Sequence, residues 1–119
     1  MARTALVALL LLVPACHSAP TAPAPFVVGT ITSRAPRLIG RDSVPQMFVQ
    51  GNPPTCDSSA YVALGSVRRV WYANGGAADT SALVVGAQVR VWITGIVLES
   101  CPPQAGADEI QIDRPAPTP

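Results

Sequence analysis

Glycine and proline cut the stretch from Phe26 to Asp113 into short runs, and no run carries a helical repeat of apolar residues. A helix needs ten or more residues with an apolar stripe, whereas a strand needs only four to eight. The runs that remain are rich in β-branched side chains, which suit a pleated, half-buried surface. Phe26 to Thr32 is one candidate strand, with Gly29 expected at a bulge or a close approach. Val44 to Gln50 is another, with Pro45 confining its start to an edge. Ala60 to Tyr72 offers one or two strands, interrupted at Gly65. Val89 to Leu98 alternates most clearly, with Val89, Val91 and Ile93 on one face and Arg90, Trp92 and Thr94 on the other. Ile110 to Ile112 is a short closing strand, and Ala77 to Leu83 has room for one helical turn. Gly51-Asn-Pro-Pro and Asn74-Gly-Gly76 read as turns. The expectation is all-β: a small barrel or sandwich of five or six strands.

The N-terminus has a different character. Arg3 precedes a ten-residue apolar run, Thr4 to Val13, which is too short for a bilayer span of about 20 residues. It fits the apolar part of an export signal. Val13-Pro-Ala-Cys16 then resembles a lipobox: an aliphatic residue three before the cysteine and a small one directly before it. The expected organisation is a lipoprotein signal over residues 1–15 and a lipidated Cys16 with a Pro-rich tether over 16–25. A β domain over 26–113 and a disordered tail over 114–119 follow. The tether, Ser18-Ala-Pro-Thr-Ala-Pro-Ala-Pro25, favours extended polyproline II at about 3.1 Å per residue. His17, the one histidine, follows the anchor where an aspartate would favour inner-membrane retention. That leans toward the outer membrane in a cell that has one.

Charge excludes some functions. All eight basic residues are Arg; without Arg3, seven face seven acidic residues. A balanced chain has no broad field for steering toward nucleic acid. Two cysteines remain beyond Cys16, and in an exported protein such a pair usually bridges. Cys56 and Cys101 both sit beside prolines in expected loops. A buried free thiol or a redox pair are the alternatives; the absence of Cys-x-x-Cys disfavours the second. Two thiols without a nearby imidazole are a poor metal site.

One stretch resembles a known family. Gly86-Ala-Gln-Val-Arg-Val-Trp92, then Thr94-Gly95, then Glu99-Ser-Cys-Pro-Pro-Gln-Ala105, and finally Glu109-Ile-Gln-Ile112 resemble the YobA-like domain-of-unknown-function family 3221. These are small bacterial exported proteins, often lipoproteins. Val28-Gly-Thr-Ile31 is similar to the family's opening strand, whereas Arg34 to Asp79 matches nothing recognisable. The resemblance implies a partly open barrel akin to the oligonucleotide/oligosaccharide-binding (OB) fold and implies no activity. Cys101 stands where the family usually has Tyr.

The candidate binding surface is Arg69, Trp71, Arg90, Trp92, Glu99 and Gln104. Arg69 shares a face with Trp71, and Arg90 with Trp92, so neighbouring strands would build an Arg–Trp patch. Such a patch is also an ordinary covering for a barrel. Glu99, Ser100 and Gln104 equally suit hydrogen bonds to loop amides. No carboxylate pair is set by spacing and no histidine lies near Ser100, so catalysis is not expected. The reading is a binding or interaction module of the cell envelope, with no cofactor, metal or nucleic acid. Its partners are the membrane, through the anchor, and an envelope protein or glycan. The alternative is a structural accessory lipoprotein with no small-molecule site.

Overall fold

A computed structural model describes residues 23–118. The export signal, the lipidation of Cys16 and the role of His17 lie outside the described residues, as does the tether before Pro23. Among the described residues the chain forms nine strands and one 3-10 turn. The strands are β1 (Val27–Ser33), β2 (Arg37–Ile39), β3 (Asp42–Val44), β4 (Gln46–Gln50), β5 (Ala60–Ala63), β6 (Arg69–Tyr72), β7 (Ala77–Ala78), β8 (Gln88–Ile93) and β9 (Gln104–Arg114). The turn is Thr80–Ala82, capped by the Asp79 side chain.

Five strands close into a ring. β1 pairs antiparallel with β4 and with β8, β4 with β5, and β8 with β9. The parallel pair β5–β9 completes the circle. A five-stranded ring of mixed pairing is the kind of architecture the OB fold builds. The all-β expectation therefore holds. The β2–β3 hairpin stands apart from the ring.

The ring's interior follows from alternation. Val89 and Val91 of β8 and Ile110 and Ile112 of β9 point inward and are buried, as are Ile31, Met47, Val49 and Val62. Outward positions on the same strands carry Arg90, Trp92, Glu109 and Gln111. Leu83, just after the turn, is fully buried and plugs this core.

Glycine and proline act as punctuation. At Gly29 a Cβ would overlap the Gln50 carbonyl, so β1 and β4 approach here as only glycine allows. Gly29 is the expected close approach; the register shift in β1 falls later, between Ile31 and Ser33. Pro45 has no N–H and separates β3 from β4, yet its carbonyl still accepts from the Leu64 N–H at 2.8 Å.

Three boundaries differ from expectation. The β8 strand stops at Ile93, because Gly95 turns the chain at φ +94°. The β9 strand is eleven residues long where three were expected, because Gln104-Ala-Gly-Ala-Asp-Glu109 has only small apolar residues and no β-branched side chain to signal a strand. Arg114 ends β9, and Ala116 packs against the core, so strand pairing and core contacts run past Asp113.

Candidate functional site

The outer face of β9 is the centre of the first cluster. β6 and β8 are not neighbours: β9 lies between them. Trp92 and Arg69 flank Glu109, while Arg90 and Trp71 flank Gln111. The two indoles reach over β9 and stack, with centroids 5.5 Å apart and planes 19° apart. The Arg69 guanidinium carbon sits 4.4 Å from the centroid of Trp71. Arg69, Trp71 and Trp92 thus meet, by diagonal contact across an intervening strand.

Arg90 is spent differently. Its Nε donates to Asp113 Oδ2 at 2.8 Å, and Gln111 Nε2 donates to the other oxygen of Asp113 at 2.8 Å. Arg68 makes the tighter pair: its Nε and Nη2 donate to the two oxygens of Asp108 at 2.5 and 2.8 Å. That hydrogen-bonded guanidinium holds the Asp108 carboxyl below the usual carboxylate range. Asp108 is the extra residue at the β8–β9 register shift, which turns its side chain toward Arg68. Glu109, Gln111, Asp113 and the Arg68–Asp108 pair were absent from the predicted surface. Alternation through Glu109-Ile-Gln-Ile-Asp113 carries the signal for the first three; the bulge that aims Asp108 has none.

Glu99 and Gln104 are not part of this cluster. Gln104 opens β9 beside Tyr61 of β5, five positions before Glu109. Its side-chain oxygen accepts from Arg37, and its backbone bridges to Leu98. Glu99 is exposed in the loop between β8 and β9. Ser100 Oγ donates to the Pro102 carbonyl at 2.7 Å. The expected bonds from these side chains to loop amides are therefore replaced by contacts to Arg37 and to a carbonyl.

Arg37 and Gln104 mark a second cluster. The β2–β3 hairpin and the β8–β9 loop border a groove of about 180 Å³, lined by Arg37, Val44, Gln46, Ile96, Leu98 and Gln104. Two of its lining side chains are exposed aliphatics: Ile96 is 86% exposed and Leu98 55%. Beside it, on the outer face of β4 and β5, Phe48 and Tyr61 pack as a tilted pair with centroids 4.8 Å apart. Arg34, Arg37 and Arg41 all lie exposed on or beside the hairpin. Sequence reasoning missed this groove because its lining comes from five separate segments.

A larger, polar cleft of about 560 Å³ lies along β1, between Gln50, Asn52, Gln88 and Asp113. Asp113 is already engaged there by Arg90 and Gln111, and the cleft has no aromatic wall.

Cys56 and Cys101 are brought together, with Cα atoms 5.3 Å apart and the sulfurs at bonding distance. The pair lies before β5 and before β9, the two strands whose parallel pairing closes the ring. Among the described residues no group of three or more His, Cys, Asp or Glu side chains is placed to hold a metal ion. No described helix is long and apolar enough to cross a membrane.

The fold is an all-β module with side-chain clusters on its outer face and loops at the ring's seam. Residues 60–112 match a family described as protein of unknown function (DUF3221), which bears out the resemblance read from the C-terminal motif. The match also reaches upstream, through β5 and β6, where no motif was recognisable; the β1 strand lies outside it. No curated protein and no solved structure matches the chain.

Proposed function

We propose that the chain is an exported lipoprotein whose β module binds a protein partner in the cell envelope. The groove between the β2–β3 hairpin and the β8–β9 loop is the contact surface. One observation carries the binding reading: Ile96 and Leu98 stand more than half exposed in the lining of a groove that also presents Arg37. Apolar rims of this kind usually mark interaction sites. Arg and aromatic side chains are enriched where proteins meet, and Tyr61 with Phe48 supplies the aromatics. Loops at a ring's mouth are also where OB-type folds take ligands. The anchor reading rests on the leader and on Val13-Pro-Ala-Cys16, and a bridged Cys56–Cys101 pair suits an oxidising compartment. A binding role needs no catalytic group, and the Ser100 hydroxyl is engaged by the Pro102 carbonyl.

Photo-crosslinking in intact cells tests this. A photoreactive residue at position 96 is expected to give a discrete protein adduct that Leu98→Asp removes, while the same probe at exposed Val84 gives none. Identical adducts from both positions, or none from 96, would reject the groove. In parallel, Cys16→Ala is expected to release the protein from membranes.

A further inference from the structure

We infer that Trp92, stacked on Trp71, is a binding site for polyproline-type peptide, and that the chain's own proline-rich segment fills it from Pro23 onward. The contact is direct: the Trp92 indole N–H donates to the Pro23 carbonyl at 2.7 Å. An indole can only donate, and a polyproline II backbone leaves its carbonyls without internal partners. Aromatic-lined grooves recognise proline-rich segments through this pairing of a flat apolar face with a carbonyl acceptor.

The local sequence leads the segment there. Phe26 N–H donates to the Val91 carbonyl at 2.8 Å, the last rung of the β1–β8 ladder. The next ladder donor would be Pro25, which has no N–H, so the chain leaves the sheet. It then crosses the edge of β8 with Pro25 and Phe26 half-buried, and Pro23 meets Trp92. Trp92 is held ready for it: Trp71 backs the ring, and Arg69 covers Trp71 in turn. A furrow of about 370 Å³ remains beside the segment, bordered by Ala24, Thr94 and Glu109. Proline-rich chain is pre-extended, so seating it costs little conformational entropy.

This inference is independent of the groove at the β8–β9 loop. Combined with a lipid anchor at Cys16, it ties the domain's orientation at the membrane to Trp92. The tail Arg114-Pro-Ala-Pro-Thr-Pro119 has the same chemistry and is the rival occupant.

NMR on the full exported chain in detergent decides the matter. Nuclear Overhauser contacts are expected from the Trp92 indole proton to Pro23 and Ala24. Replacing Pro20, Pro23 and Pro25 together by Gly is expected to speed exchange of that proton about five- to tenfold, the worth of one net hydrogen bond. Trp92→Phe keeps an aromatic ring and removes the donor; it is expected to weaken the Overhauser contacts between residue 92 and Pro23 while exchange of the Ile110 amide, a control for folding, is unchanged. Contacts to residues 116–119 instead of Pro23 would overturn the inference. So would an indole proton whose exchange the Gly replacements leave unaltered, or contacts between residue 92 and Pro23 that Trp92→Phe leaves at full strength.

Discussion

Among single side chains, the Arg68–Asp108 pair has the most defined consequence. Asp108 is only 12% exposed and Arg68 is 68% exposed, so the carboxylate is the sheltered partner. Its folded pKa lies below the ordinary value, chiefly through the hydrogen bonds from Arg68. A depressed carboxylate stabilises the fold above its unfolded pKa, about 3.9, and loses that contribution as pH falls through the folded value. Asp108→Asn is therefore expected to lower the melting temperature at neutral pH. The gap to wild type should narrow below about pH 4, where the unfolded carboxyl protonates. Thermal melts of both proteins across pH 3 to 7 check this; a gap that widens in acid contradicts it. Asp79 is depressed in the same direction by the Ser81 hydroxyl and amide, so its cap weakens in the same acid range.

Among elements, β1 shows how one residue type fixes a crossing. A Cβ at Gly29 would meet the Gln50 carbonyl carbon at 2.6 Å and the Gly51 nitrogen at 3.1 Å. Both are backbone atoms that cannot rotate away. Gly29→Ala should cost about 1–3 kcal/mol, the range for overpacking. Gly106→Ala in β9 meets nothing within 4 Å and has no positive φ, so it should change stability by no more than about 0.5 kcal/mol. Denaturant midpoints of the two variants separate a crowded strand from an open one. Gly29 was legible as a special position, and so was the inward face of β8, because Val89, Val91 and Ile93 alternate with polar residues. The first half of β9 was not: Gln104-Ala-Gly-Ala107 offers small inward residues whose burial depends on neighbours from β5 and β8.

Across the whole molecule, the Cys56–Cys101 bridge sits at the seam of the ring. Cys56 precedes β5 and Cys101 precedes β9, and the Tyr61 N–H reaches the Pro103 carbonyl at 3.0 Å between them. The parallel β5–β9 pairing is the long-range contact that makes a ring out of a curved sheet. A link across 45 residues removes freedom from the unfolded chain. Replacing both cysteines with Ala should cost about 4 kcal/mol by the chain-entropy estimate. Amide exchange should rise first at Val62 and Ala105, on the seam, and last at Val89 and Val91. Equal acceleration everywhere would mean that the bridge supports the fold as a whole and not its closure.

Alternation of apolar and polar residues, with glycine and proline as breaks, was enough to establish an all-β chain, its main strands and its two pairable thiols, because those properties depend on near neighbours in sequence. Which strands meet was decided only in three dimensions. Periodicity tells which face of β6 and of β8 carries Arg and Trp; it cannot tell that β9 runs between them, or that the indoles touch over it. The groove at Arg37 and the seat of Pro23 on Trp92 arise the same way. Each joins residues far apart in the chain, and closing those distances requires the ring, whose register is set by the packing of its whole interior.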